Sequence, residues 1–370
     1  MKLLRVKAIA KKELIQILRD PLSLAIAFLM PLMQLFIYGY AITFDVNNIS
    51  TVVYDRDKSS MSRELISEFQ ASGYFTIAAY IEGYKDIDTY FETNRAKVAL
   101  IIPEHFSKDV KTGRPAQVGV ILDGSDSNTA TIAEGYINAV GLLFAHRLTG
   151  AKVLPVIDVR GRVWYNPELK SRNFIIPGLI VVIMAVIVAL LTSLTVAREW
   201  ERGTMEQLIS TPVKPVEIVI GKLIPYFSIG FADILMAIGI GVFWFGVPLK
   251  GSPFLLIALA AIFTFGGVSF GILISINARG SQAVASQMAL LSTFLPAFLL
   301  SGFMFAISNM PGPLQWLTYI IPARYFVTIS KGIFLKGSTL EMLAWEATLL
   351  TLFGAAVFIA AVKRFRKRIE

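Results

Sequence analysis

Residues 198–222 carry the most patterned charge in the chain: Arg198-Glu199, Glu201-Arg202, Gly203-Thr204, Glu206, Leu208, Thr211-Pro212, Glu217 and Gly221-Lys222. Carboxylates and guanidinium groups at one-turn spacing make a self-compensating helical surface. Gly203 lets a backbone approach closely, and Thr204 offers a cap to the next turn. Met205, Leu208 and Ile209 give the segment an apolar side that suits a groove on another protein. Thr211-Pro212 and Lys214-Pro215 stop the helix, and Val216 restarts it. An ordinary connecting loop runs to about 2–8 residues and needs no such pattern. The chemistry suggested is docking.

Catalytic constellations are not legible. Asp55, Asp57, Asp123 and Asp126 are oxygen donors of the kind that hold Ca²⁺, but the glycine and glutamate of a calcium loop are missing. Asp at such positions more commonly builds turns and caps. Ser, His and Asp occur without Gly-x-Ser-x-Gly, and His105 and His146 stand outside any motif. With no cysteine and two histidines, a metal centre is not expected. Gly221-Lys222 is followed by Leu223, with no Gly five residues before Gly221, so no phosphate-cradling loop is present in the sequence. Movement driven by ATP would need a motor on a separate polypeptide.

The elements that position these residues are membrane helices. The chain is 55% hydrophobic and only 16% charged, against about 25% charged in soluble domains. Six apolar stretches reach the length of about 20 residues that crosses a bilayer. They lie near 22–43, 173–197, 222–247, 253–276, 284–306 and 340–362. Residues 1–20 and the tail from Lys363 to Arg368 are basic, which predicts both termini in the cytoplasm. The net charge of +9 is thereby a topological signal, and nucleic acid is not an expected partner. The first stretch exceeds a signal-peptide core and is read as a retained anchor.

Before that anchor, residues 1–20 form an amphipathic helix with Leu3, Val6, Ala10, Leu14 and Ile17 on one stripe. Such a helix lies in the membrane interface. Residues 21–44 hold the first span. Residues 45–172 alternate β-branched strands with polar helices and predict an extracytoplasmic α/β domain. Strands are expected at 49–54, 74–80, 97–102, 116–122 and 156–164. Helices are expected at 61–71, 85–94, 105–111 and 128–148. Residues 173–370 hold spans two to six, with the patterned loop at 198–216.

Asp233 falls within the third span, where an ionisable group costs at least about 2.5–3.5 kcal/mol on insertion scales. It is either a contact for substrate or a hydrogen-bond partner inside the bundle. Gln282, Ser286, Gln287 and Ser292 place polar groups at the start of the fifth span, to line a translocation path or to bind neighbouring helices. Gly266, Gly267 and Gly271 are spaced for close helix packing. Residues 308–339 are broken by Pro311, Pro313 and Pro322 and rich in interfacial aromatics. They predict either an outer re-entrant hairpin or a loop on the membrane surface.

The segment from Arg198 to Lys222 resembles the first cytoplasmic loop of ABC-2-type transporter permeases. The resemblance extends over nearly the whole chain. The outer domain is similar to that of the larger members through Val53–Asp57, Ser62–Leu65, Ile101–Phe106 and Leu122–Asn128. It implies a membrane subunit of an exporter, without a nucleotide site of its own. It also implies that Arg198, Glu199, Glu201, Arg202, Gly203, Thr204, Glu206, Thr211 and Pro212 couple to an ABC ATPase. That partner would bind the ATP and Mg²⁺. A second permease copy or close paralogue and a bacterial inner membrane follow from the same resemblance, and a periplasmic adaptor is a further candidate partner. Pro322 and Arg324 then belong to the re-entrant segment, and Asp233, Gln282 and Gln287 are candidates for the path of an amphiphilic, drug-like or lipid-like substrate. Two rivals in other classes are a membrane-anchored envelope sensor or assembly protein and an ion-coupled transporter using Asp233.

Overall fold

Prolines and polar caps divide the apolar stretches into helices. The computed structural model describes residues 2–41, 48–93, 95–124, 127–148, 170–278 and 280–365. The chain divides into two compact units, Met1–Ile42 with Val163–Glu370, and Thr43–Arg162.

The first unit opens with α1 (Leu3–Leu18), followed by α2 (Pro21–Leu24) and α3 (Met30–Ala41). Asp20 caps α2, accepting from the Leu22 N–H at 3.2 Å, and Pro21 occupies the first helical position, where its missing N–H costs nothing. A π-helical turn at Ala25–Leu29 joins α2 to α3 and accommodates Pro31. On α1 the buried residues are Val6, Ile9, Glu13 and Ile17. The expected stripe is therefore rotated: Leu3 and Leu14 are exposed, and a glutamate takes a place among the apolar residues. The cause lies on α10, described below, where Gly221 brings Ile9 into close contact and a lysine waits for Glu13.

The second unit holds β1 (Ile49–Asp55), α4 (Ser60–Ala71), β2 (Phe75–Tyr80), α5 (Tyr84–Glu92), β3 (Val98–Ile102), α6 (Phe106–Lys111), β4 (Gly119–Leu122) and α7 (Ser127–Leu148). The sheet order is β2-β1-β3-β4. β1 is parallel to both neighbours, and β4 runs antiparallel to β3. Strand alternation sends Val53, Leu100 and Ile102 to the side covered by α4, α6 and α7, and Val52 and Ala99 to the side of α5. β4 begins at Gly119 rather than 116, after Pro115, which has no ladder donor. The expected strand at 156–164 lies outside the described residues. Asp55 accepts from the Asp57 and Lys58 N–H groups at 3.0 Å and from the Ser62 hydroxyl at 2.7 Å. Asp57 accepts from the Ser107 N–H and hydroxyl. Both carboxylates are turn and cap acceptors.

The first unit resumes with α8 (Ser171–Glu201), α9 (Thr204–Ile209), α10 (Pro215–Phe243), α11 (Pro253–Asn277), α12 (Gln282–Leu300), α13 (Gly312–Thr318), α14 (Pro322–Lys331) and α15 (Ala344–Arg364). Among the described residues, six helices are long and apolar enough to cross a membrane: Pro21–Ala41, α8, α10, α11, α12 and α15. A helix apolar on every face belongs inside a bundle. α8 is that helix, buried along nearly its whole length. α10 starts at Pro215, one residue before the expected restart at Val216, because Pro215 suits the first helical position and Glu217 accepts from the Lys214 N–H at 2.9 Å. α12 ends at Leu300 rather than 306, where Ser301 and Gly302 (φ 80°) turn the chain. The glycines of α11 are packing points. A side chain at Gly271 would collide with Thr192 and the Ala189 carbonyl of α8, and Gly266 faces Gly354 of α15.

Candidate functional site

Three buried charges meet where α1, α8 and α10 come together. The Lys222 ammonium lies 2.8 Å from Glu13 Oε1 and 2.7 Å from Glu199 Oε2. Lys222 is 0% exposed, Glu13 2% and Glu199 3%. Lys12, half-exposed, adds a second ammonium that pairs with both carboxylates. Burial acts to lower the Lys12 pKa, yet the Glu13 and Glu199 carboxylates outweigh it and hold it above the usual lysine value. Two cations against two carboxylates leave the cluster neutral, the condition on which buried charge is tolerated.

The adjacent residue ties in two further helices. Arg198 pairs with Asp20 at 2.9 Å and reaches Ser23 Oγ and Gln282 Oε1, each at 3.3 Å. The Ser23 hydroxyl, with the Arg198 guanidinium, holds the Asp20 carboxyl below its ordinary pKa. Gln282 donates from its backbone and side-chain nitrogens to Glu201 Oε2 at 3.1 and 2.8 Å. Glu217 accepts from the Lys2 N–H at 2.7 Å, and Arg5 reaches Glu217 and the Pro212 carbonyl. The end of α8 is thereby joined to α1, α2, α10 and α12 by ionic contacts rather than apolar packing alone.

Out of this lock projects the turn that carries α9. Gly203 has φ 69°, a left-handed backbone that glycine adopts without strain, and its N–H closes α8 onto the Trp200 carbonyl. A side chain placed there would meet nothing within 4 Å in this chain, so its left-handed backbone, not packing inside the bundle, is what calls for glycine here. Thr204 donates to the Glu199 carbonyl. Met205 is 1% exposed and points into this chain, so it is not part of an insertion face as expected. Arg202, Glu206, Gln207, Thr211 and Pro212 are exposed.

The residues proposed from the sequence thus separate by position. Arg198 and Glu199 are internal, Glu201 is exposed but bound to Gln282, and Arg202, Glu206, Thr211 and Pro212 face outwards. Gln282 belongs to the lock, whereas Gln287 is exposed further along α12. Asp233 is 1% exposed, and neither carboxylate oxygen has a hydrogen-bond partner among the described residues. It lies three residues after Gly230, whose face meets Val188 of α8 and Thr264 of α11.

Pro322 opens α14, and Arg324 staples α13 to α14. Its guanidinium reaches Thr318 Oγ1 and the Gln315 carbonyl and lies 3.8 Å from the Tyr319 ring centre. α14 is packed against α8, where Ser330 donates to the Pro177 carbonyl at 3.0 Å. Pro322 also lines an apolar cavity of about 280 Å³ with Ala189, Phe263, Gly267, Thr293 and Pro296. Lys331, not singled out from the sequence, donates to the Gly302 carbonyl at 3.1 Å and lies over the Phe174 ring. Glu13 was missed as well. Its signal was present, a carboxylate one turn from both Ile9 and Ile17 on an otherwise apolar face.

Residues 22–363 match the family described as ABC-2 family transporter protein. The chain is 38% identical over 338 residues to the probable multidrug ABC transporter permease YbhS of Escherichia coli (strain K12), covering 90% of this chain and 89% of that one. It is 33% identical to the probable multidrug ABC transporter permease YbhR of the same strain, covering 99% of each. The inner membrane transport permease YhhJ, also from strain K12, is 26% identical and covers 97% of this chain and 96% of its own length.

Proposed function

Because the chain belongs to the ABC-2 family of transporter proteins and is a membrane permease, we propose that the exposed turn between α8 and α10 receives a separate ATPase subunit. ATP and Mg²⁺ bind in that partner, and this chain converts its closure into helix movement. The observation that carries the reading is the buried Glu13–Lys222–Glu199 lock at the base of the turn. A push on Arg202–Pro212 acts on the end of α8, and α8 touches most of the bundle.

In this reading both termini and residues 198–216 are cytoplasmic, α1 lies in the membrane interface, and residues 45–172 are extracytoplasmic. Residues 308–339 form a re-entrant outer hairpin, which the packing of α14 on α8 supports. A second permease copy or paralogue completes the transporter in a bacterial inner membrane, with a periplasmic adaptor as a further candidate partner. The cargo is an amphiphilic or hydrophobic molecule moved outwards. Two relatives named as probable multidrug permeases and the apolar cavity beside Pro322 support that choice.

The test is co-purification with a candidate ABC ATPase subunit, followed by cargo-stimulated ATP hydrolysis in lipid. Arg202→Glu and Glu206→Lys reverse exposed charges without touching the lock, and each is expected to lower stimulated hydrolysis about tenfold. Wild-type stimulation in both variants, with normal expression, would remove the docking assignment. Transport that needs a proton gradient and no ATPase would favour the ion-coupled rival.

A further inference from the structure

Among its described residues, the second unit carries an open apolar groove. It has a volume of about 820 Å³ and lies between α4, α6, α7 and the face of the sheet that they cover. That volume falls within the range of about 300–1,000 Å³ typical of small-molecule sites. Leu65, Phe69, Leu100, Phe106, Ile137 and Phe144 line it.

The gap has a local cause on α7. Ala133, Val140 and Phe144 share one face and are buried against the sheet. The neighbouring stripe, Ile137, Gly141, Ala145 and Leu148, lines the groove and carries a glycine and an alanine in its middle. A Cβ added at Gly141 would meet nothing within 4 Å. Leu142, also on the lining, is 72% exposed, so an apolar wall continues to the opening. At the opening stand Lys111 and Arg114, both exposed, on the turn made by Gly113 at φ 67°. No acidic side chain pairs with either among the described residues. An extended apolar slot with two cations at its mouth is complementary to one kind of molecule.

We propose that this cavity binds a single-chain amphiphile with an anionic head, its tail against the α4–α7 face and its head at Lys111 and Arg114. The site goes beyond the export reading and does not depend on it.

The experiment uses the full chain in nanodiscs of neutral phospholipid, with palmitate carrying a photoreactive diazirine in its tail. Crosslinks are expected in peptides covering residues 61–69 and 137–148, and unlabelled palmitate should compete them away. Gly141→Trp fills the slot from an open position, and should cut labelling of those peptides about tenfold while labelling of the spans is unchanged. Lys111→Glu with Arg114→Glu should weaken palmitate binding about tenfold and leave the corresponding fatty alcohol unaffected. Because the chain has no cysteine, Leu142→Cys reports on access. It should react with aqueous maleimide in ligand-free protein and be protected by palmitate. Labelling confined to the spans, or labelling that survives the filled slot, would overturn the proposal. So would a Cys at 142 that is protected or crosslinked between copies without palmitate, because the slot would then be covered by protein.

Discussion

Lys222 is the residue on which the coupling region turns. It holds two carboxylates from two other helices, all three groups being buried. Removing one partner of a buried ion pair leaves an uncompensated charge, which costs about 3–5 kcal/mol. Lys222→Met is therefore expected to lower the unfolding temperature of the purified chain sharply. Glu199→Gln combined with Lys222→Met removes charge on both sides, and the double variant should be more stable than the sum of the single losses implies. Strict additivity in that cycle would mean that the two side chains do not interact. Asp233 presents the opposite case, a buried carboxylate without a hydrogen-bond partner among the described residues. Asp233→Asn is expected to weaken transport of cationic cargo and to leave neutral cargo unchanged. Equal transport of both by the Asn form would remove Asp233 from the path.

At the scale of elements, two kinds of joint hold the helices of the first unit. The joints along α11 are close contacts at glycines, with Ser275 accepting from the Val196 and Ala197 N–H groups of α8, and those among α1, α8, α10 and α12 are made by charged groups. Gly271 belongs to the first kind. Its α-carbon faces Thr192 and the Ala189 carbonyl of α8 so closely that a larger residue must push the two helices apart. Overpacking of this kind costs about 1–3 kcal/mol. Gly271→Val should reduce thermal stability by an amount in that range, while Gly239→Val on α10, which opens onto empty space, should leave stability nearly unchanged. A similar loss in both variants would assign the effect to helix propensity instead of packing.

For the whole molecule, the proposed orientation is directly testable, since cysteines can be introduced into a chain that has none. Lys85→Cys, exposed on α5, should react with an impermeant maleimide in intact cells. Gln207→Cys, exposed on α9, should react only after the membrane is opened. The reverse pattern would invert the permease and place the patterned loop where no cytoplasmic ATPase could reach it.

The sequence by itself determined how many apolar helices there are among the described residues and roughly where each lies, because span length, proline position and capping are local properties. It also determined the α/β character of residues 48–148, through strand alternation and Asp and Ser caps, and it marked the loop from Arg198 to Lys222. Only the tertiary structure decided how that motif is divided. Arg198 and Glu199 read as surface charge beside Glu201 and Arg202, yet the fold turns the first pair inwards to Asp20, Lys12 and Lys222. Their partners lie 178, 187 and 23 positions away in the chain, and no local spacing announces them. The rotation of α1 had the same origin. Its apolar residues admit more than one buried face, and the choice was made by Gly221 and Lys222 on another helix. The groove beside α7 was equally hidden, since a groove is set by what neighbouring elements leave uncovered, and that is a property of their packing in three dimensions.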